Sequence, residues 1–137
     1  MPETPKQFID KLAWICIKDR VVLSTRSRGK DTYYIPGGKR EGDETDEEAL
    51  LREIKEELSV DLLPETIAYV GTFEAQAHGK PEGTVVRMTC YSGNFAGEIR
   101  PATEIEEVVW LTHAGREQSS PVDKIILDRL KEKNLID

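Results

Sequence analysis

Three glutamates, Glu53, Glu56 and Glu57, stand at i, i+3 and i+4 in the run Arg52-Glu53-Ile54-Lys55-Glu56-Glu57-Leu58. On a helix this spacing puts their carboxylates on one side, close enough to repel one another. Only Arg52 and Lys55 lie within the run to offset that repulsion. A hard divalent cation would neutralise such a group: Mg²⁺ takes oxygen ligands, keeps several waters and binds substrate phosphates beside carboxylates. A solvated acidic face is the alternative, because glutamate is a good helix former and acidic runs are usually hydrated. The neighbouring residues favour the cation. Gly37-Gly38 lets bare backbone approach the cluster, and Lys39-Arg40 place positive charge next to it. Tight backbone, carboxylate oxygens and flanking cations together suit a polyphosphate.

The glutamates need a helix, and the sequence predicts one over residues 45–58. Thr45-Asp46-Glu47-Glu48 reads as a capping box, with Thr45 as N-cap and Glu48 reaching back to it. Asp46, Glu47 and Glu48 put negative charge at the positive end of the helix dipole. Leu50, Leu51, Ile54 and Leu58 recur at helical spacing and form the stripe that docks it. Upstream, Leu12–Ile17 and Val21–Thr25 read as a hairpin joined by Lys18-Asp19-Arg20. Tyr33-Tyr34-Ile35 reads as a short strand stopped by Pro36-Gly37-Gly38. Downstream, 67–73, 85–91 and 108–111 have strand character. Ser120-Pro121 opens a second helix running to about Lys133, with Ile125, Ile126 and Leu130 expected to face inward. Strands interleaved with two helices indicate an α/β or α+β arrangement in which helices cover a sheet.

Composition sets bounds on partners. The chain of 137 residues suits one domain spanning 1–137. Its formal net charge is −7, and residues 41–57 alone carry all of it, with nine acids against two bases. The remaining acids and bases balance. Such a charge argues against binding nucleic acid or an anionic membrane surface, and there is no basic patch to track a strand. Cys16 and Cys90 lie inside apolar runs with no Cys-x-x-Cys pair, which reads as two buried thiols in a reducing setting. Residues 1–10 are polar and contain two prolines, unlike a signal peptide, and the longest apolar run is the six residues Leu12–Ile17. A cytoplasmic location is the expectation.

Gly38, five residues, Glu44, seven residues, then Arg52-Glu53-Ile54-Lys55-Glu56-Glu57-Leu58-Ser59-Val60 resembles the Nudix box, G-x5-E-x7-R-E-U-x-E-E-x-G-U with U aliphatic. Eight of the nine specified positions match across 23 residues. The exception is Ser59, where the family has glycine. That position follows the helix end, where a left-handed backbone is common and costs a serine about 1 kcal/mol. The resemblance implies an α/β/α sandwich with a mixed central sheet, the box helix on one side and a C-terminal helix on the other.

It also implies an activity and a set of roles. Nudix enzymes hydrolyse a nucleoside diphosphate linked to a further group, with Mg²⁺ as cofactor and Mn²⁺ as its substitute. By resemblance Glu53, Glu56 and Glu57 are metal ligands, joined by the backbone carbonyl of Gly37. Glu104, in the acidic run before Trp110, is the further ligand from a loop, with Glu106 second. Glu53, Glu57 and Arg52 form the catalytic group, and Arg52 and Glu44 orient the cluster. The general base lies between a box glutamate and a loop glutamate, with Glu53 preferred. Arg26 and Lys39 are candidates to grip phosphate oxygens or simply solvated cations. Tyr33, Tyr34, Phe73 and His78 are candidates for a base pocket, with core or surface packing as the alternative for each.

Some subfamilies carry a proline or tyrosine marker fifteen to eighteen positions past the box. Here those positions are Ala75, Gln76, Ala77 and His78. The missing markers point to MutT-like hydrolysis of a (deoxy)nucleoside triphosphate, oxidised nucleotides such as 8-oxo-dGTP included. Nucleotide sugars and dinucleoside polyphosphates are the alternative substrates, and a non-catalytic nucleotide-binding module is a further alternative. The intact Glu44, Glu53, Glu56 and Glu57 weigh against that module. A homodimer is the assembly many relatives adopt.

Overall fold

In the computed structural model, which describes residues 7–137, alternation along one strand decides the layering. Leu12, Trp14 and Cys16 pack into one apolar cluster, while Ala13 and Ile15 pack into another. Successive side chains of a strand point to opposite faces, so a strand apolar at every position must be covered on both sides. The elements in chain order are β1 (Gln7–Ile15), β2 (Ile17–Lys18), β3 (Val21–Ser27), β4 (Tyr33–Tyr34), β5 (Gly37–Lys39), α1 (Asp46–Leu58), β6 (Asp61–Leu62), β7 (Ala68–Gln76), β8 (Thr84–Ser92), β9 (Phe95–Ala96), β10 (Ile105–Leu111) and α2 (Pro121–Glu132). Single 3₁₀ turns occupy Pro64–Thr66 and His113–Gln118.

One sheet has the order β5-β1-β8-β7, and a second has β10-β3-β2 with β4 paired to β3. Within the first, β1 runs parallel to β8 while its pairing with β5 and that of β7 with β8 are antiparallel, so the sheet is mixed. The α1 residues Leu50, Ile54 and Leu58 share a cluster with Leu12, Trp14 and Leu23. The α2 residues Ile126, Leu127 and Leu130 share the other with Ala13, Ile15, Val86 and Met88. Helix, sheets and helix therefore stack as the α/β/α sandwich expected of the sequence. Among the described residues no helix is long and apolar enough to cross a membrane.

The ends of α1 follow their local chemistry. Thr45 Oγ1 accepts the Glu48 N–H at 3.1 Å, and a Glu48 carboxylate oxygen accepts the Thr45 N–H at 2.9 Å, completing the capping box. At the other end Ser59 is left-handed, with φ 64°. Its hydroxyl donates to the Arg100 carbonyl at 2.9 Å, a bond glycine could not make and one that offsets the conformational cost.

Three expectations are corrected. The run Leu12–Ile17 is not one strand: β1 begins at Gln7, and the chain changes sheet at Cys16. Asp19 and Arg20, both with positive φ, then make the two-residue turn into β3. Gly37 and Gly38 do not end a strand but form β5, because Gly37, with φ 152°, lies so close to β1 that an added Cβ would overlap the Leu12 carbonyl. Ile125 is 42% exposed, and Leu127 takes its place on the buried arc of α2. The expected polar segment 1–10 lies outside the described residues up to residue 6.

One buried acid gives a pH test of this packing. Asp123, 1% exposed in the first turn of α2, accepts the Ile35 N–H at 3.0 Å through one oxygen, and its other oxygen has no partner. Burial pushes its carboxyl up to about 7. Between about pH 4 and 7 the unfolded chain has released this proton and the folded chain still holds it, so stability falls as pH rises. Urea unfolding in EDTA should show that fall in the wild type and a flatter profile in Asp123→Asn. Parallel profiles for the two would contradict the assignment.

Candidate active site

The acidic cluster is assembled by two backbone approaches. β5 pairs with β1 through Lys11–Lys39, Leu12–Gly38 and Ala13–Gly37, and α1 packs over β5. Gly38 faces Glu53 so closely that a Cβ there would overlap its carboxylate. Gly37 offers its N–H to Glu57. The glycines are thus the floor on which two of the three glutamates rest.

Arg52 holds the cluster from the side. Its guanidinium donates to both oxygens of Glu44, at 2.7 and 2.8 Å, a bidentate pair. The same group donates to Glu53 at 2.9 Å, to the Lys39 carbonyl at 3.0 Å and to Glu56 at 3.4 Å. Glu44 also accepts the Glu41 N–H at 2.8 Å, and chiefly the Arg52 pairing holds its carboxyl down at about 2. Arg52 does not line the cavity that the glutamates share, and its guanidinium sits behind them.

Glu53, Glu56, Glu57 and Glu104 line one cavity of about 320 Å³, together with Gly37, Lys11 and Tyr34. Glu104 therefore reaches the cluster from the loop before β10. Glu106, the second choice, instead pairs with Arg28. Burial, then the neighbouring charge of Glu53, push the Glu57 carboxyl up to about 8, with Glu104 adding to the effect. The charges of Glu53 and Glu104 thus oppose ionisation of Glu57, which a cation would relieve. Among the described residues no three acidic, histidine or cysteine side chains already converge as a finished cage, and Glu53 and Glu56 are each paired with Arg52. The donors are all oxygen, which fits a hard cation such as Mg²⁺.

Neither Arg26 nor Lys39 lines this cavity. Arg26 donates to the Lys30 carbonyl at 2.9 Å and lies 3.6 Å from Glu107, while the Lys39 side chain borders a different depression beside Phe8 and Arg40. The cation that does line it is Lys11, which sequence reasoning missed; its place depends on pairing with β5 and β8, not on any local motif. Of the aromatic candidates, Tyr34 and His78 meet edge to face in an adjoining pocket, with ring centroids 6.4 Å apart. Phe73 is core, and Tyr33 donates to Glu107 at 2.7 Å.

The comparisons agree with this geometry. The family model described as NUDIX domain matches residues 12–129. No curated protein matches. Among solved structures, the E. coli ORF135 protein superimposes with a TM-score of 0.72 at 24% identity, over 91% of each chain. MutT protein from Methanosarcina mazei Go1 gives 0.75 at 17% identity, over 96% of this chain and 99% of its own. The MutT Nudix hydrolase from Burkholderia pseudomallei gives 0.66 at 24% identity, over 82% and 98%. With the family match covering most of its length, including the glycine floor, α1 and the Glu104 loop, the chain belongs to the Nudix family of hydrolases and has a MutT-like fold.

Proposed function

We propose that the protein is a divalent-cation-dependent pyrophosphohydrolase that converts a (deoxy)nucleoside triphosphate into the monophosphate and pyrophosphate. Oxidised nucleotides such as 8-oxo-dGTP belong to the same substrate class. The observation that supports this reading is that four glutamates, from α1 and from a loop some fifty residues away, line one small cavity. Glu53, Glu56 and Glu57, with the Gly37 carbonyl and Glu104, would hold Mg²⁺ or Mn²⁺. Such an ion neutralises the diphosphate and lowers the pKa of water.

The chain's own groups supply the rest. Arg52 and Glu44 fix the directions of Glu53 and Glu56, as groups behind a reacting cluster commonly do. One Glu53 oxygen accepts from Arg52, and the other is left to take the proton of the attacking water, so Glu53 is the proposed general base. Glu57, beside the Gly37 N–H, adds a further carboxylate oxygen that a bound cation would hold in its charged form.

A substrate panel tests the reading. With Mg²⁺, dGTP and 8-oxo-dGTP should be cleaved to monophosphate and pyrophosphate faster than ADP-ribose, nucleotide sugars or dinucleoside polyphosphates. Preference for any of the latter three classes would replace the triphosphate assignment. Binding without turnover across the panel would favour a nucleotide-sensing module.

A further inference from the structure

Lys11 is the only lysine or arginine lining the acidic cavity among the described residues. It also lines the adjoining pocket of about 180 Å³ that reaches His78 and the start of α2, and it shares that double position only with Tyr34 and Met88. The register of β1 puts it there, opposite Lys39 on one side and Met88 on the other. Its ammonium lies 5.9 Å from the centroid of the Tyr34 ring. It feels Asp123, Glu57 and Glu53 through space, without a hydrogen bond to any of them.

We propose that Lys11 is the substrate-positioning residue of this site: its ammonium binds a non-bridging oxygen of the diphosphate where the two cavities meet, and so sets which phosphorus faces the carboxylates. The proposal rests on the pyrophosphohydrolase reading for its substrate class. Arg26 and Lys39, the phosphate-gripping candidates read from the sequence, are directed elsewhere, which leaves Lys11 to meet the phosphate that enters. Its three N–H donors are available for that role. Burial lowers its pKa, so the charge costs the free protein stability instead of adding to it. A phosphate oxygen arriving beside it restores the partner that water would have provided.

The test uses Lys11→Met, which keeps the length and apolar stem, and Lys11→Arg, which keeps the charge. Calorimetry with imidodiphosphate and Mg²⁺ should show Kd weakened by at least about tenfold in Lys11→Met and by less than about threefold in Lys11→Arg. On dGTP, Lys11→Met should raise KM and lower kcat/KM by at least about tenfold, with Lys11→Arg within about threefold of the wild type. Its melting temperature should equal or exceed that of the wild type, the opposite of what loss of a structural residue gives. Wild-type affinity for imidodiphosphate in Lys11→Met, equal weakening in both variants, or no binding by the wild type would each overturn the proposal. Tight, Lys11-dependent imidodiphosphate binding without dGTP hydrolysis would remove the triphosphate reading and leave the role of Lys11 standing.

Discussion

Glu57→Gln should lower turnover of the preferred nucleotide by about 10²- to 10⁴-fold and at the same time raise the melting temperature of the metal-free protein. The first effect follows from removing one charged oxygen from a site where the proposed cation would supply several kcal/mol of transition-state stabilisation. The second follows from the half-buried position of Glu57, whose ionisation is opposed by desolvation, by Glu53 and by Glu104. An amide of nearly the same shape removes that conflict and keeps an oxygen to accept the Gly37 N–H. Glu53→Gln should lose turnover to a similar extent, because it also removes the proposed base. Steady-state kinetics and a melting curve in EDTA check both. Near wild-type turnover in both variants would refute the roles given to these carboxylates. Loss of activity together with loss of stability would make Glu57 a structural residue.

The second large effect separates two adjacent glycines. In Gly37→Ala the new methyl would meet the Leu12 carbonyl and the Ala13 backbone, neither of which can move without opening the β1–β5 pairing. The residue also has φ 152°, a value side chains rarely adopt. This variant should lose several kcal/mol of stability or fail to accumulate as folded protein. In Gly38→Ala the atoms nearest the methyl are those of the Glu53 carboxylate, the tip of a flexible side chain. Glu53 can swing aside, so the fold should survive while activity drops at least about tenfold. Circular dichroism and turnover measured on both variants distinguish the outcomes. A stable, active Gly37→Ala would show that the close approach of β5 to β1 is wrong.

These two glycines also show how far sequence reasoning reaches. The capping box of Thr45 and Glu48 and the i, i+3, i+4 glutamates are local patterns, and the helix forms where they place it. Gly37-Gly38 is local too, but a turn and a strand pressed against its neighbour call for the same residue, so the turn was the wrong choice of the two. Glu104 was found through its resemblance to a family pattern, and it faces the cluster. Cations were the weakest ground. The direction of an arginine or lysine depends on which carboxylate or carbonyl the fold brings near, and for Arg26 that partner is Glu107, distant in sequence. Lys11 was invisible for the same reason, since only the pairing of β1 with β5 and β8 turns it toward the glutamates.

The charge of residues 41–57 now divides by role. Glu44 is bound by Arg52, while Asp46 takes Arg40 and the Tyr91 hydroxyl. Glu48 caps the helix, and Glu53, Glu56 and Glu57 face the cavity with Glu104. The repulsion concentrated in the last group is the feature on which the proposed chemistry depends. The most direct test is the change in melting temperature on adding millimolar Mg²⁺ or Mn²⁺ to the wild type and to the Glu53→Gln/Glu57→Gln double variant. A cation bound only by the folded protein at a hundred times its Kd adds about 2.7 kcal/mol, enough to shift the wild-type transition by several degrees. The account predicts that shift in the wild type and its absence in the double variant. No shift in the wild type, or an equal shift in both proteins, would contradict it.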